Sequence, residues 1–288
     1  MPDAVPLPPV TLCADDFALS HGISRTIADL AGRGCINAIS CMAAMPGWAE
    51  DSRLLDGIEE VRCGPLGRVQ VGLHLVLASE RPLGAMRHLD KDGRLPGPDR
   101  MLALALLGQL DRCEIAAEID RQFYAFHAER GGPPDFVDAH QHVHVYPGIR
   151  RAVIAATRKH APKAWVRVPD ERLGAMLARP FAGKAIGSTL HAAGFRGQLA
   201  RAGLRANGSF AGHYDFREPS AALLDQFFRH GSNSHLVMCH PGSADLPRDD
   251  IAAARRKEAE IIGRMTLAQR WSALQPAGRP RVVVPAHG

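Results

Sequence analysis

A chain of 288 residues with 46% hydrophobic and 23% charged residues can bury a large core, which excludes a mainly disordered protein. The net charge of +5 does not indicate a nucleic-acid partner, because the basic residues are scattered among acidic ones and no zinc-finger or RNA-binding motif occurs. The basic run "RRK" at 255–257 is expected to form the solvated face of a helix.

The sequence indicates neither export nor a membrane span. The opening residues, "MPDAVPLPPVTLCADD", lack a basic stretch followed by an apolar one, and no apolar run reaches the ~18 residues that a spanning helix needs. The six cysteines form no C-x-x-C pair and lie mostly in apolar surroundings, which is typical of reduced thiols. We therefore expect a cytoplasmic protein.

Short β-branched or apolar runs alternate with helical patterns along the chain. Seven runs are predicted as strands: "VTLCAD" (10–15), "INAISCMA" (36–43), "VQVGLHLVL" (69–77), "DFVDAHQH" (135–142), "AWVRVP" (164–169), "HLVMCHP" (235–241) and "RVVVPAH" (281–287). Amphipathic stretches at 112–130 and 248–268 predict helices between strands. This alternation, with no linker, predicts one α/β domain over residues 1–288 whose parallel strands form a complete or incomplete (β/α) barrel.

Two connections are longer than such a scaffold requires. Residues 78–111 are punctuated by Gly, Pro and charged residues, and residues 170–215 contain a helical region followed by "RANGSFAGHYDF". Long connections in a compact domain are typically binding loops or lids. Neither G-x-G-x-x-G nor a Walker A motif follows any predicted strand, which argues against a nucleotide-binding sheet.

Ionisable residues fall at the ends of several predicted strands, where a barrel builds its site. They are Asp15, Asp16, His74, Asp138, His140, Arg167 and His240. Burying such groups costs several kcal/mol unless they partner one another or a metal ion. One Asp and two His from separate strands would suit Zn²⁺, Mn²⁺, Co²⁺, Ni²⁺ or Mg²⁺, with a spare carboxylate as base and a histidine as acid. These are the parts of a metal-assisted hydrolase, but spacing alone does not assign each role.

Four motifs resemble, in the same order, those of the YdjC-like carbohydrate deacetylases, the family of chitooligosaccharide deacetylase and hopanoid-associated deacetylase. They are "ADDFALS" (14–20), "VGLHLVL" (71–77), "DFVDAHQHVHVYPG" (135–148) and "MCHPG" (238–242). Each stands at a predicted strand end, and together they span nearly the whole chain. The resemblance implies a distorted (β/α) barrel that removes N-acetyl groups from sugars with one divalent metal ion, Mg²⁺ or Zn²⁺ first among the candidates.

The resemblance also assigns roles to individual residues. It implies three metal ligands: Asp16, His74 and His140. Asp15 is then the general base, and His240 is the candidate general acid. Ala18 stands where the family usually has glycine, so the turn after the two aspartates is expected to differ slightly. Asp16 as a helix cap is the alternative, although Ser20 is the better cap.

Three histidines alternate in the third motif. In an extended strand His140, His142 and His144 would share one side, but only the residue at the strand end can reach a metal on the barrel axis. We therefore interpret His140 as the ligand, and His142 and His144 as groups behind it or facing the substrate. Asp138 is expected to be a hydrogen-bonding partner of a ligand histidine.

Other side chains are candidates for substrate contact. They are Arg167, Phe210, Tyr214 and His142. Arg167 would either hold Asp15 ionised or form an ordinary ion pair, and the two aromatic residues would either stack on a sugar ring or pack locally. His21, His88, His191 and His230 resemble surface or helix residues and receive no role.

The leading hypothesis is hydrolysis of the acetamide of an N-acetylated saccharide or conjugate, by a metal-bound water with Asp15 as base and His240 as acid. Another metallohydrolase, acting on a phosphoester or a different amide, is one alternative. A catalytically silent carbohydrate-binding protein is a second, disfavoured because every expected catalytic position is filled. A non-haem iron oxygenase would leave Asp15 unexplained. A homodimer is compatible with each of these.

Overall fold

The computed structural model describes residues 7–275. Its centre is a single sheet of eight strands: β1 Val10–Phe17, β2 Ala38–Cys41, β3 Gln70–Leu75, β4 Phe136–Ala139, β5 Trp165–Val166, β6 Arg205–Ala206, β7 Ser209–Ala211 and β8 His235–Cys239. The strand order is β6-β5-β4-β3-β2-β1-β8-β7, and each neighbouring pair is parallel. The predicted α/β barrel-like fold is therefore confirmed.

The two edges of this sheet are joined by a very short connection. Strands β6 and β7 lie at opposite edges, yet only residues 207–208 separate them. A chain of that length spans about 10 Å at most, so the sheet must curl until its edges approach each other. The Asn207 side chain bonds both the N–H and the C=O of Val168, at 2.7 and 3.0 Å, and the C=O of Ser209 at 2.9 Å. It thereby ties the two edges of an incomplete barrel.

Helices connect the strands. They are α1 His21–Gly32, α2 Trp48–Asp51, α3 Pro98–Leu106, α4 Arg112–Arg130, α5 Ile149–His160, α6 Leu173–Leu177, α7 Ala182–His191, α8 Phe195–Arg201, α9 Ala221–Phe228, α10 Ala252–Ile262 and α11 Leu267–Leu274. Short 3₁₀ turns occupy Ser52–Leu55, Ile58–Glu60, Gly64–Leu66 and His140–Val145. Every helix in the described part of the chain is too short or too polar to cross a bilayer.

The central strands are buried on both faces, as a parallel barrel requires. Each residue of β1, β2, β3, β4 and β8 is buried. One position in β3 needs glycine, because a Cβ on Gly72 would lie 2.4 Å from the ring of Phe136 in β4. Helix α1 begins after Ser20, whose hydroxyl accepts a hydrogen bond from the N–H of Ile23. Ser20 is therefore the cap, as expected, and Asp16 is left free for another role.

Six of the seven predicted strands overlap an observed strand, and the seventh, 281–287, lies outside the described residues. The predicted helix at 112–130 is confirmed, whereas the stretch 248–268 contains α10 and the start of α11. Strands β6 and β7 were not predicted, because two or three residues are too few to show a periodicity. The six cysteines are free thiols, and all but Cys113 are buried. The single domain over 1–288 stays a prediction.

Candidate active site

A cavity of about 1140 Å³ opens at the carboxyl ends of the strands. Its floor contains five of the residues singled out in the sequence: Asp15, Asp16, His74, His140 and His240. They come from β1, β3, the turn after β4 and the end of β8. The fold therefore brings together residues that are up to 225 positions apart, as the strand-end argument predicts.

A bulge in β1 lets two adjacent aspartates reach the same site. Ala14 pairs with Ile39 and Phe17 pairs with Cys41, so three steps along β1 face two steps along β2. Within this bulge Asp16 has a φ of +69°, in the left-handed region that Asp tolerates better than most residues. Since successive side chains of a regular strand point to opposite faces, this irregularity is what directs both carboxylates to the site.

Asp16, His74 and His140 form a tight cluster. Nδ1 of His140 lies 2.9 Å from Oδ1 of Asp16, and Nε2 of His74 lies 3.5 Å from the same oxygen. One possible ligand atom from each of the three lies within 4.8 Å of the others. Asp16 and His74 are buried, and His140 is nearly so. The residues that the resemblance implies as metal ligands are thus neighbours in space.

His74 is held from behind by a carboxylate. Its Nδ1 lies 2.7 Å from Oδ1 of Asp138, and the Ser40 hydroxyl, which donates to Asp138, lies 2.9 Å from the same nitrogen. Asp138 is therefore the predicted hydrogen-bonding partner, and Nε2 of His74 is left to face Asp16. Burial disfavours the charged imidazole, but the carboxylates of Asp138, Asp15 and Asp16 together raise the pKa of His74 to about 10. The surroundings of the cluster consequently favour positive charge.

Arg167 lies behind Asp15, fully buried. Its two terminal nitrogens each lie 2.6 Å from an oxygen of Asp15, and Nη2 lies 2.5 Å from Oδ2 of Asp138. Of the two roles considered for Arg167, holding Asp15 is the one that matches this geometry. The guanidinium does not line the cavity, so its position does not support direct contact with a substrate.

Arg255 contacts the carboxylate oxygen of Asp16 that does not face the two histidines. Its Nη2 lies 2.7 Å from Oδ2 of Asp16, and its Nε lies 2.8 Å from Oδ2 of Asp249. Burial alone would raise the pKa of Asp16, but Arg255 and His140 hold it well below its usual range. The interpretation of "RRK" as a solvated face is wrong for Arg255, which is 3% exposed, whereas Arg256 and Lys257 are exposed.

The spacing of apolar residues in α10 could have predicted that Arg255 is buried. The buried face of α10 comprises Ala254, Arg255, Glu258, Ile261 and Ile262. Apolar residues at 254, 261 and 262 define one face of a helix, and positions 255 and 258 fall on it. A charged residue on an apolar face is a candidate for a buried ion pair. The interpretation of the basic run as a solvated face did not consider this position.

Glu258 supports the part of the cavity that contains His240. Its Oε2 accepts a hydrogen bond from the backbone N–H of His240 at 2.5 Å, and its Oε1 accepts one from the Tyr214 hydroxyl. Burial raises the pKa of Glu258 to about 7 and lowers that of His240 to about 4. His240 is therefore neutral at pH 7, with its ring edge-on to Phe216 at 5.2 Å between centroids.

The alternating histidines do not share one side of a strand. Strand β4 ends at Ala139, and Gln141 and His142 each have a φ of +56°, so the chain turns there and the predicted extension to residue 142 is wrong. His144 is buried, with Nε2 2.8 Å from the C=O of Arg167. His142 lines the cavity and packs edge-on against His213 at 5.4 Å.

The candidate substrate contacts divide into two groups. Tyr214 and His142 line the cavity, whereas Phe210 is buried behind His142, with 5.4 Å between the ring centroids. His213, which sequence reasoning missed, lines the cavity from the loop after β7, a strand too short to be predicted. Both long connections contribute to the walls: Ser79, Glu80 and Arg94 come from 78–111, and Lys184, His213 and Tyr214 from 170–215.

Comparisons with known proteins point in one direction. The profile of the YdjC-like protein family matches residues 9–273. A chitooligosaccharide deacetylase of Yersinia pestis (strain Pestoides F) is 30% identical over 263 residues, with 88% of this chain and 90% of that protein covered. A protein of the same name from Yersinia pestis bv. Antiqua (strain Angola) is 32% identical over 259 residues, with the same coverage.

The fold has a counterpart among solved structures. A protein of Enterococcus faecalis V583, provisionally assigned to cellobiose-phosphate cleavage, superposes with a TM-score of 0.69 at 17% sequence identity. The match covers 92% of this chain and 94% of that one. It supports the barrel architecture over nearly the whole length.

Proposed function

This chain belongs to the YdjC-like family, and from that premise we propose that it removes the acetyl group from an N-acetylated saccharide with one bound divalent metal ion. The observation that carries the proposal is the cluster of Asp16, His74 and His140, with the Asp15 carboxylate beside it on the same cavity floor. Relatives named chitooligosaccharide deacetylases support a β-linked N-acetylated sugar as the substrate class.

The three clustered residues fit a metal ion chemically. Two imidazoles and a carboxylate form a donor set that suits Zn²⁺, Mn²⁺, Co²⁺ or Ni²⁺, whereas Mg²⁺ prefers oxygen ligands. The Asp138 carboxylate behind His74 is the partner that ligand histidines usually have on their other ring nitrogen. A divalent cation bound there would polarise the acetamide carbonyl and make the attacking water more acidic.

Asp15 is the general base of this proposal and takes the proton of that water. Arg167 contacts both of its oxygens and fixes the plane of the carboxylate, while each oxygen keeps a lone pair that can accept another hydrogen bond. The water oxygen then bonds to the carbonyl carbon, and the C–N bond breaks to give acetate and the free amine of the sugar. The proton has to end on the leaving nitrogen.

His240 is our candidate for delivering that proton. It lines the same cavity as Asp15, and burial keeps it neutral at pH 7, so it must first receive a proton. The proton that Asp15 removes from water is the available source. The Glu258 carboxylate fixes the His240 backbone, and Phe216 borders its ring, so the imidazole has little freedom to leave this position.

The test is hydrolysis by the purified protein. Metal-free protein is incubated with N-acetylglucosamine and its β-linked dimer and trimer, alone and with Zn²⁺, Mn²⁺ or Mg²⁺, and the products are analysed by mass spectrometry. We expect metal-stimulated release of acetate from at least one saccharide. Cleavage of a phosphoester without deacetylation would favour the other metallohydrolase, and binding without turnover in metal-loaded protein would favour a silent binding protein.

A further inference from the structure

A histidine without a role in the sequence analysis lies on the cavity wall. His21, the first residue of α1, lines the cavity together with Asp51 at the end of α2. Nδ1 of His21 lies 2.6 Å from Oδ1 of Asp51. The side chain of His21 is 53% exposed, whereas that of Asp51 is 3% exposed. An exposed imidazole is thus fixed by a buried carboxylate.

Asp51 is held at both of its oxygens. Its Oδ2 lies 2.6 Å from the Ser24 hydroxyl, which also accepts a hydrogen bond from the backbone N–H of Ala18 at 2.9 Å. Ser24 is fully buried, and Ala18 belongs to the turn that follows Asp16. Through Ser24, the Asp51 carboxylate that orients His21 is therefore connected to the turn after Asp16. An ordinary surface ion pair has no such fixed partner.

This arrangement defines the tautomer of His21. An ionised carboxylate only accepts hydrogen bonds, so Nδ1 of the neutral imidazole must carry the proton. Nε2 then has a free lone pair and is an acceptor. Among residues 7–275 the structure gives Nε2 no hydrogen-bond partner. The wall consequently offers an oriented acceptor to a ligand in the cavity.

We infer that His21 is a specificity-determining residue whose Nε2 accepts a hydrogen bond from a hydroxyl group of the saccharide, with Asp51 as its positioning residue. A hydroxyl group is the donor that a sugar carries at several positions, and a site built to bond one discriminates against an analogue that lacks it. The inference rests on the proposed function for the identity of the ligand as a saccharide.

Kinetics of His21→Ala test this contact. Because one neutral hydrogen bond is lost, we expect KM to rise about three- to tenfold while kcat changes less than about twofold and metal content stays the same. His127→Ala is the control, since His127 is exposed on α4 and does not line the cavity. Asp51→Asn should raise KM similarly in a folded protein, because an amide can donate to Nδ1 and leave Nε2 as a donor.

Monodeoxy saccharides separate binding from a structural effect. The wild-type protein should lose affinity for the analogue that lacks the hydroxyl bound by His21, and His21→Ala should treat that analogue and the parent sugar alike. A structural role would weaken all sugars by the same factor. An unchanged KM in His21→Ala, or an unchanged preference among the deoxy sugars, would overturn the inference.

The outcomes also separate this inference from the proposed function. If the wild-type protein binds the β-linked dimer of N-acetylglucosamine without hydrolysing it, the proposed deacetylation fails, while calorimetric titration of the dimer into wild type and His21→Ala still measures the contact. Weaker binding of the dimer by His21→Ala than by wild type would support the proposed contact of His21 with the sugar. A wild-type protein that neither hydrolyses nor binds these saccharides would overturn both proposals.

Discussion

Arg167 neutralises two carboxylates that have almost no access to water. It forms ion pairs with Asp15 and Asp138, and all three side chains are at most 2% exposed. Removing one partner of a buried charge network leaves the remaining charges uncompensated. The sequence could suggest the pairing of Arg167 with Asp15, because both stand on predicted strands, but it could not show that one guanidinium also serves Asp138.

The first prediction concerns this guanidinium. Arg167→Leu should lower the free energy of unfolding by about 3–5 kcal/mol, because Asp15 and Asp138 would remain buried without their cation. Urea unfolding monitored by circular dichroism measures the change. Arg256→Leu, at an exposed position of α10, is the control and should change stability by less than about 0.5 kcal/mol. Equal effects of the two changes would show that the buried network is not what stabilises the chain.

The second prediction separates the metal ligand from its neighbour. His140→Ala should lose the bound metal ion, whereas His142→Ala should retain it, because His140 contacts Asp16 and His142 instead packs against Phe210 and His213. Elemental analysis after dialysis against Zn²⁺ measures the difference. Equal metal content in the two variants would remove His140 from the ligand set.

The third prediction concerns the neighbouring carboxylate. Asp15→Asn should lower kcat about 10²- to 10⁴-fold and retain the metal, because Asp15 contacts Arg167 rather than the clustered histidines. Steady-state kinetics and metal analysis of the same preparation are the measurements. Loss of the metal with normal folding would mean that Asp15 and Asp16 have each other's roles, whereas near-normal turnover would mean that Asp15 is not the general base of this reaction.

At the scale of single elements, what the sequence could predict depended on periodicity. The four motifs placed Asp16, His74 and His140 at strand ends, and the structure brings them together. The bulge in β1 and the left-handed residues after β4 have no periodic signal, because they depend on pairing with neighbouring strands. The burial of Arg255 was not predicted, because the run of three basic residues was interpreted as a solvated face although the apolar residues around it have helical spacing.

Helix α10 contributes a buried acid as well as Arg255. Glu258 accepts hydrogen bonds from His240 and Tyr214, and burial raises its pKa to about 7 from an ordinary value of 4.5. Between these two pH values the folded chain holds a proton that the unfolded chain has released. Protonated Glu258 therefore adds to the free energy of unfolding below pH 4.5, and this stabilisation is lost as the pH rises through about 7.

The fourth prediction follows from this linkage. Between pH 4.5 and 8, the wild-type protein should lose about 2–3 kcal/mol of unfolding free energy because of Glu258. Glu258→Gln should not show this loss. Unfolding free energies across that range measure it. Glu260→Gln changes the same group at a side chain that is 61% exposed and should keep the wild-type dependence. A Glu258→Gln curve parallel to wild type would contradict the raised pKa.

At the scale of the whole molecule, the site depends on how the sheet curls. The cavity receives residues from β1, β3 and β8 and from the loop after β7, and the two-residue connection 207–208 requires the two ends of the strand order to approach each other. The sequence predicted a barrel from the alternation of strands and helices. It could not predict where the barrel is open, because the gap lies between strands of two and three residues whose pairing is set by long-range contacts.

The last prediction tests the residue that spans this gap. Asn207 is 2% exposed and satisfies the N–H and C=O of Val168 and the C=O of Ser209. Asn207→Ala should lower the free energy of unfolding by about 2–4 kcal/mol, because buried backbone groups would lose their partners, and the Val168 amide should exchange its hydrogen faster. Chemical unfolding and hydrogen exchange measure the two effects.

A second variant distinguishes the bonds from simple packing. Asn207→Asp has nearly the same shape and can still accept from Val168, but an ionised carboxylate cannot donate to the carbonyls of Val168 and Ser209. It should therefore be destabilised as well, whereas Asn233→Ala, at a less buried asparagine, should stay close to wild type. If Asn207→Asp were as stable as wild type, the edges of the barrel would be held together by packing rather than by the Asn207 amide.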